Sequence, residues 1–149
     1  MKKFSLICLV LLLGVFTSAF SQKSSDLVGI WQLCNNGESV QRGVTNLKPC
    51  NIWKVITKKG KKFCQYWAPN ENGLCTVMHE GTYKFKGDDT YVEHIQSHAF
   101  DKGVIDTKTV INYRFINPDM VVFTFKLANH EQQYEELWAR VKMTPLSLK

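Results

Sequence analysis

Leu27-Val28-Gly29-Ile30-Trp31 and Glu136-Leu137-Trp138-Ala139-Arg140-Val141 are the two stretches that decide the fold. They lie near opposite ends of the chain, and apolar and polar residues alternate in a series of short segments between them. Alternation with a period of two is typical of strands that bury one face. We therefore predict that the two stretches are the first and last strands of one closed sheet.

Eight strands are predicted, joined mostly by short turns, with no long helix. The alternation is clearest in Tyr83-Lys84-Phe85-Lys86 and in Ile111-Asn112-Tyr113-Arg114-Phe115. Gly81, inside the fourth strand, predicts a bulge or bend, and Lys58-Lys59-Gly60-Lys61-Lys62 predicts a solvated hairpin tip. The predicted strands cover residues 28–34, 52–57, 63–67, 76–86, 90–97, 107–116, 120–127 and 133–143.

This series of strands predicts an all-β fold, a single eight-stranded antiparallel up-and-down barrel. Closing the sheet removes its exposed edges. The interior of an eight-stranded barrel is either just filled by side chains or holds one small ligand. A two-layer sandwich is the competing architecture.

The N-terminus is predicted to be a secretory signal peptide, residues 1–21. Lys2 and Lys3 precede an apolar run over residues 4–16, and Ala19-Phe20-Ser21 places small residues at the cleavage site. The run is too short to span a bilayer comfortably. We expect a single mature domain, residues 22–149, that is exported to the periplasm or secreted and has no transmembrane anchor after cleavage.

The charge of the chain argues against nucleic-acid binding. The 149-residue sequence has a formal net charge of +6, of which Lys2 and Lys3 contribute two. The remaining surplus is scattered, and an exported protein without a basic stripe is a poor candidate for nucleic acid.

Four cysteines remain after signal cleavage: Cys34, Cys50, Cys64 and Cys75. An even number of cysteines in an exported chain favours disulfides, and four allow three pairings. The preferred pairing is Cys64–Cys75, across the loop at residues 67–73, together with Cys34–Cys50. A Cys₄ zinc site is the alternative, but the sequence has no Cys-x-x-Cys spacing. We predict no metal site and no cofactor.

The first and last strands resemble those of lipocalins and their calycin relatives. Gly29-Ile30-Trp31 is similar to the Gly-x-Trp signature of that group, and Arg140 resembles the basic residue that packs across this Trp and closes the barrel. A longer pattern resembles a family of small exported lipocalin-like bacterial domains of unknown function: Gly81-Thr82-Tyr83, Tyr91-x-Glu93-x-Ile95, Tyr113-x-Phe115 and Glu136-x-Trp138-x-Arg140-Val141. The resemblance implies a barrel with a cavity and no established activity.

The residues predicted to face inward are the candidates for ligand binding. If Arg140 points inward, Glu136 on the same strand face does so too, and a buried carboxylate needs a partner. Glu136, Glu93 and Arg140 could form a buried polar network that is either structural or an anchor for a ligand. The aromatic residues could likewise form a filled core or line a pocket. The candidate ligand-binding residues are Tyr83, Tyr91, Glu93, Tyr113, Phe115, Phe123, Glu136 and Trp138.

Three functions compete at this point. The first is a binding module for a small apolar or aromatic molecule. The second is a filled barrel that acts as an interaction or inhibitor module through its loops, at residues 35–49, 68–73 and 98–106. The third is a hydrolase or isomerase that uses the interior carboxylates, although no catalytic motif is present. The four histidines lie on separate segments and are expected at the surface or at loop edges.

Overall fold

The computed structural model describes residues 23–36, 47–68, 71–127 and 130–144. The predicted signal peptide lies outside the described residues, as does most of the connection at 35–49. Three short 3₁₀ helices occur in the described part, at Ser24–Leu27, Lys59–Lys61 and Lys102–Val104. The strands are β1 (Gly29–Asn36), β2 (Pro49–Ile56), β3 (Lys62–Trp67), β4 (Thr76–Phe85), β5 (Thr90–His98), β6 (Lys108–Asn117), β7 (Met120–Lys126) and β8 (Gln133–Arg140).

The eight strands form one closed antiparallel barrel in sequence order. Strand β1 pairs with β2 on one side and with β8 on the other, and Trp31 lies opposite Arg140 in the β1–β8 register. This confirms the all-β up-and-down barrel, and the sandwich alternative is wrong. Each predicted strand corresponds to one observed strand, and no end differs by more than three residues.

Two local predictions also hold. The β4–β5 register shifts between Glu80 and Gly81, which is the predicted bulge. A Cβ atom at Gly81 would lie 1.9 Å from the backbone oxygen of His94, so only glycine fits there. The lysine-rich stretch forms the exposed turn between β2 and β3, with Gly60 at a φ of 75°.

Trp31 and Arg140 seal one end of the barrel, which we term the sealed end. Cζ of Arg140 lies 4.2 Å from the centre of the Trp31 ring, as in a cation–π contact. The guanidinium also donates hydrogen bonds to three backbone carbonyl oxygens, those of Asp26, Val28 and Pro118. One side chain therefore ties the last strand to the segment that precedes the first.

Gly29 leaves room for this contact. A Cβ atom at position 29 would lie 2.7 Å from Nη1 of Arg140. The indole Nε1 of Trp31 donates to the backbone oxygen of Leu27 at 2.9 Å, which fixes the ring at the sealed end. The Gly-x-Trp sequence thus has a packing reason in this chain.

Aromatic rings fill the half of the barrel next to the sealed end. Neighbouring ring centres lie 5.9 to 6.1 Å apart along a continuous series of tilted or edge-on contacts. Such geometry is favoured by the quadrupoles of the rings. The series runs through Trp31, Phe115, Tyr113, Tyr91, Phe123 and Trp138.

The predicted disulfides are not formed, and all four cysteines are free thiols. Cys34 packs on the outer face of the barrel with Val122 and Leu137, whereas Cys50 packs against the interior core. Their side chains therefore lie on opposite faces of the sheet. Cys64 pairs with Glu80 in the β3–β4 register, which places it away from Cys75, the residue before β4.

We expect Arg140→Lys to lower the free energy of unfolding by about 1–3 kcal/mol, because lysine keeps the charge but loses the planar stacking and the fork of donors. Urea denaturation of the purified protein measures this change. Arg114→Lys is the matched control, since Arg114 is exposed on β6. Equal stabilities of the two variants would contradict the role of Arg140 in closure.

Candidate functional site

A cavity of about 290 Å³ lies inside the barrel on the side away from the sealed end. We term the end at which it opens the cavity end; here β3, β5 and β7 finish and β4, β6 and β8 begin. Polar side chains form its floor, chiefly Lys54, Glu93 and Glu136. Its walls are mainly apolar and include Ile95, Val104, Ile111, Phe123, Phe125 and Leu127.

Lys54 and Glu93 form an ion pair in the middle of the barrel. Nζ of Lys54 lies 2.7 Å from Oε1 of Glu93, and both side chains are 4% exposed. The hydroxyl of Tyr91 donates to the same carboxylate oxygen at 3.0 Å. Charges removed from water need partners of this kind. Burial and the Glu93 charge raise the pKa of Tyr91 well above its usual value, so its hydroxyl stays protonated as a donor.

Three aromatic rings surround the Lys54 ammonium. Its Nζ lies 5.4 Å from the centre of the Phe63 ring, 5.5 Å from that of Phe123 and 6.0 Å from that of Trp138. These are cation–π distances, and such contacts strengthen when water is excluded. The ammonium is therefore stabilised both by a carboxylate and by the top of the aromatic core.

Glu136 is the second carboxyl group in the floor. Its Oε2 accepts a hydrogen bond from Nε1 of Trp138 at 2.9 Å. Within the part of the chain that the structure describes, its Oε1 makes no hydrogen bond, and the residue lines the cavity. Burial raises the pKa of Glu136; the Lys54 charge and the Trp138 hydrogen bond oppose that rise, and the Glu93 charge adds to it.

Three histidines line the cavity, and two of them, His79 and His98, are in ring contact. The rings of His79 on β4 and His98 on β5 are stacked with their centres 5.5 Å apart, and His79 meets Phe63 edge-on. Burial, then the Lys54 charge, then His98, lower the pKa of His79 to about 3. His79 is therefore an uncharged imidazole near neutral pH. Nδ1 of His98 accepts from the backbone nitrogens of Phe100 and Asp101, which fixes its ring.

The sequence model of one family, described as a domain of unknown function, DUF4488, matches residues 26–147. The chain belongs to this family. The match spans β1 to β8, and so it includes both the sealed end and the residues that line the cavity. A comparison with curated proteins finds no match.

Three of the eight predicted ligand-binding residues of this DUF4488 domain line the cavity: Glu93, Phe123 and Glu136. The other five lie in the packed core next to the cavity rather than in its wall. Tyr91 and Trp138 hold the two carboxylates, and the Tyr83 hydroxyl donates to the backbone oxygen of Thr57. Tyr113 and Phe115 belong to the aromatic series that leads to the sealed end.

The predicted network of Glu93, Glu136 and Arg140 is wrong in one member. Arg140 lies at the sealed end, where it bonds to backbone carbonyls, and Lys54 takes its place as the cation beside Glu93. Sequence reasoning missed Lys54. The sequence did contain a signal for an inward Lys54. Ile52, Lys54 and Ile56 are two residues apart on one strand and so share a face, and both isoleucines pack into the core.

The histidine prediction is corrected for His79, which meets His98 in the cavity wall because their strands are neighbours. His130 is exposed just before β8, as predicted, and also lines the cavity. Among the described residues, no three His, Cys, Asp or Glu side chains are grouped so that they could hold a metal ion. No helix in the described ranges is long and apolar enough to cross a membrane.

We expect His79→Gln to make the DUF4488 domain less sensitive to acid. An imidazole whose pKa falls to about 3 on folding contributes stability that is present above pH 6.5 and is lost as the pH falls toward 3, because the unfolded chain binds the proton first. Urea denaturation at pH 7 and pH 4.5 measures the loss. The loss should be smaller in His79→Gln by about 2 kcal/mol.

The exposed His130 provides the control for this test. His130→Gln should lose as much stability between the two pH values as the unaltered protein. If His79→Gln also lost the same amount, the buried, uncharged state of His79 would be contradicted.

Proposed function

We propose that this domain is an exported binding module that holds one small, mostly apolar or aromatic molecule in the barrel. The observation that supports this most directly is the cavity of about 290 Å³, with apolar walls and polar groups converging on its floor. Ligand sites in proteins are typically concave and apolar, with a few placed polar groups that set orientation. An interior filled throughout would not have this form.

The size of the cavity favours a compact ligand. Its volume is near the lower limit of about 300 Å³ that is typical of small-molecule sites. Phe123 and Phe125 in the wall favour a ring that can pack on aromatic faces. We therefore propose a ligand of one or two rings, or of similar bulk.

The mouth of the cavity supports an apolar ligand. The Trp67 and Phe100 rings lie 5.2 Å apart at the cavity end and are 41% and 60% exposed. His98 links this pair to the cavity, since it contacts Phe100 and lines the wall. Exposed apolar groups beside a concave site are typical of binding surfaces.

We also propose that the domain is related to lipocalins in the way it closes. The packing of Gly29, Trp31 and Arg140 gives the resemblance of the first and last strands a structural counterpart. In this proposal the sealed end is the structural half of the barrel, and ligand exchange takes place at the other end.

The hydrolase or isomerase alternative has less support. Oε1 of Glu93 is held by both Lys54 and Tyr91, so Glu93 is not free to act as a base. Glu136 has an open oxygen but stands without a second free carboxylate in the described part of the floor. Glu93 and Glu136 therefore do not resemble a catalytic pair in which one carboxyl group acts as an acid and the other as a base or nucleophile.

A substitution that fills the cavity tests the proposal. Thr109 is buried, lines the cavity and lies opposite Glu93 in the β5–β6 register. With the two-ring fluorescent probe 6-propionyl-2-(dimethylamino)naphthalene, we expect Thr109→Phe to weaken binding at least ~10-fold, because the added ring occupies the site.

Val110→Phe is the matched control, since Val110 is the next residue on β6 and is exposed on the outer face. It should bind the probe as the unaltered protein does, and circular dichroism should show both variants folded. Equal binding by a folded Thr109→Phe variant, or no binding by the unaltered protein, would count against an interior site.

A further inference from the structure

The polar residues in the floor of the cavity indicate which polar group a ligand in the proposed interior site would carry. The inference rests on that proposed site. Two groups compete for the role of anchor, the Lys54 ammonium and the Glu136 carboxyl, and they would select opposite kinds of ligand.

Lys54 already has a partner for its charge within the protein. Its charge is balanced by Glu93 at 2.7 Å, and its remaining surface faces the rings of Phe63, Phe123 and Trp138. A ligand carboxylate approaching it would have to compete with Glu93 and would lie near Glu136 as well. Like charges in a site of low dielectric constant repel strongly, so the floor is poorly suited to an anion.

Glu136 is oriented by the protein and has one oxygen that can accept from a ligand. Trp138 holds Oε2 and so fixes the plane of the carboxyl group, while Oε1 makes no hydrogen bond to any described residue and the side chain lines the cavity. Glu136 is half-buried, so Oε1 is open to the cavity rather than sealed from solvent. A carboxylate oxygen accepts about two hydrogen bonds, so a ligand that enters the cavity can donate to it.

The charges in the floor favour a positive donor. Among the described residues that line the cavity, Lys54 is the one lysine or arginine, and it lies with two carboxyl groups, Glu93 and Glu136. An ammonium group at Oε1 would add a charge-assisted hydrogen bond and balance the second carboxylate. The apolar walls would hold the body of the same molecule.

We propose that Glu136 anchors an amine-bearing aromatic ligand, with the ammonium group at Oε1 and the ring against the apolar wall of the cavity. Lys54 and Glu93 are positioning residues in this arrangement, because their pairing leaves Glu136 as the free acceptor. The site thus selects amines over alcohols, and alcohols over carboxylic acids.

Isothermal titration calorimetry at pH 7 with four probes that share one body tests this ranking. The probes are 2-(aminomethyl)naphthalene, 2-naphthalenemethanol, 2-methylnaphthalene and 2-naphthoic acid. We expect the amine to bind at least ~10-fold more tightly than 2-methylnaphthalene, and the acid to bind most weakly, in line with the strength of charge-assisted hydrogen bonds.

Two isosteric variants locate the effect. Glu136→Gln should lower the affinity for the amine about 10-fold and leave that for 2-methylnaphthalene within about twofold. Glu135→Gln makes the same charge change one residue away, in an outer-face recess with Asn112 and Thr124, and should alter neither affinity. The ranking on the unaltered protein stands as a test even if a variant does not fold.

The outcomes separate this assignment from the proposal on which it rests. Tightest binding by 2-naphthoic acid, or an amine affinity unchanged by Glu136→Gln, would overturn the role of Glu136. Binding of 2-methylnaphthalene with no advantage for the amine would also overturn it while leaving an interior site in place. Failure of all four probes to bind would overturn both.

Discussion

The ion pair between Lys54 and Glu93 is the constraint on which the interior of this barrel depends. A charged pair that is 4% exposed is stable only if its geometry is close and its remaining atoms have partners. Tyr91 supplies a hydrogen bond, and three aromatic rings supply cation–π contacts. The pair therefore fixes the top of the aromatic core and, at the same level, the floor of the cavity.

The Lys54–Glu93 pair divides the interior of the barrel into two halves. Below the pair, rings in continuous contact lead to Trp31 and Arg140, and the space is filled. Above it, the walls are apolar but do not meet, and three histidines and Glu136 line the cavity. Eight strands can either fill their interior or leave room for one small molecule. This chain does each in one half.

Much of the fold could be predicted from the sequence because strand alternation is a local signal. The strand ends were accessible in this way, and the bulge was accessible from the glycine at position 81. The contact of Trp31 with Arg140 was predicted from the resemblance to lipocalins. The inward direction of Glu93 and Glu136 was accessible too, since parity along one strand fixes it.

What could not be predicted depends on register between strands. The identity of the cation beside Glu93 required the relative positions of β2 and β5, and the stacking of His79 on His98 required that of β4 and β5. The predicted disulfide pairing was wrong for the same reason. Their order along the chain suggested pairs, but Cys34 and Cys50 lie on opposite faces of the sheet.

The most direct test of this division of the barrel is a crystal structure of the protein soaked in 2-bromonaphthalene, with the bromine located by its anomalous scattering. We predict one bromine peak inside the barrel, above Lys54 and in contact with the wall that contains Phe123. Well-diffracting soaked crystals with no interior peak, or with a peak in the half next to Trp31, would contradict the account.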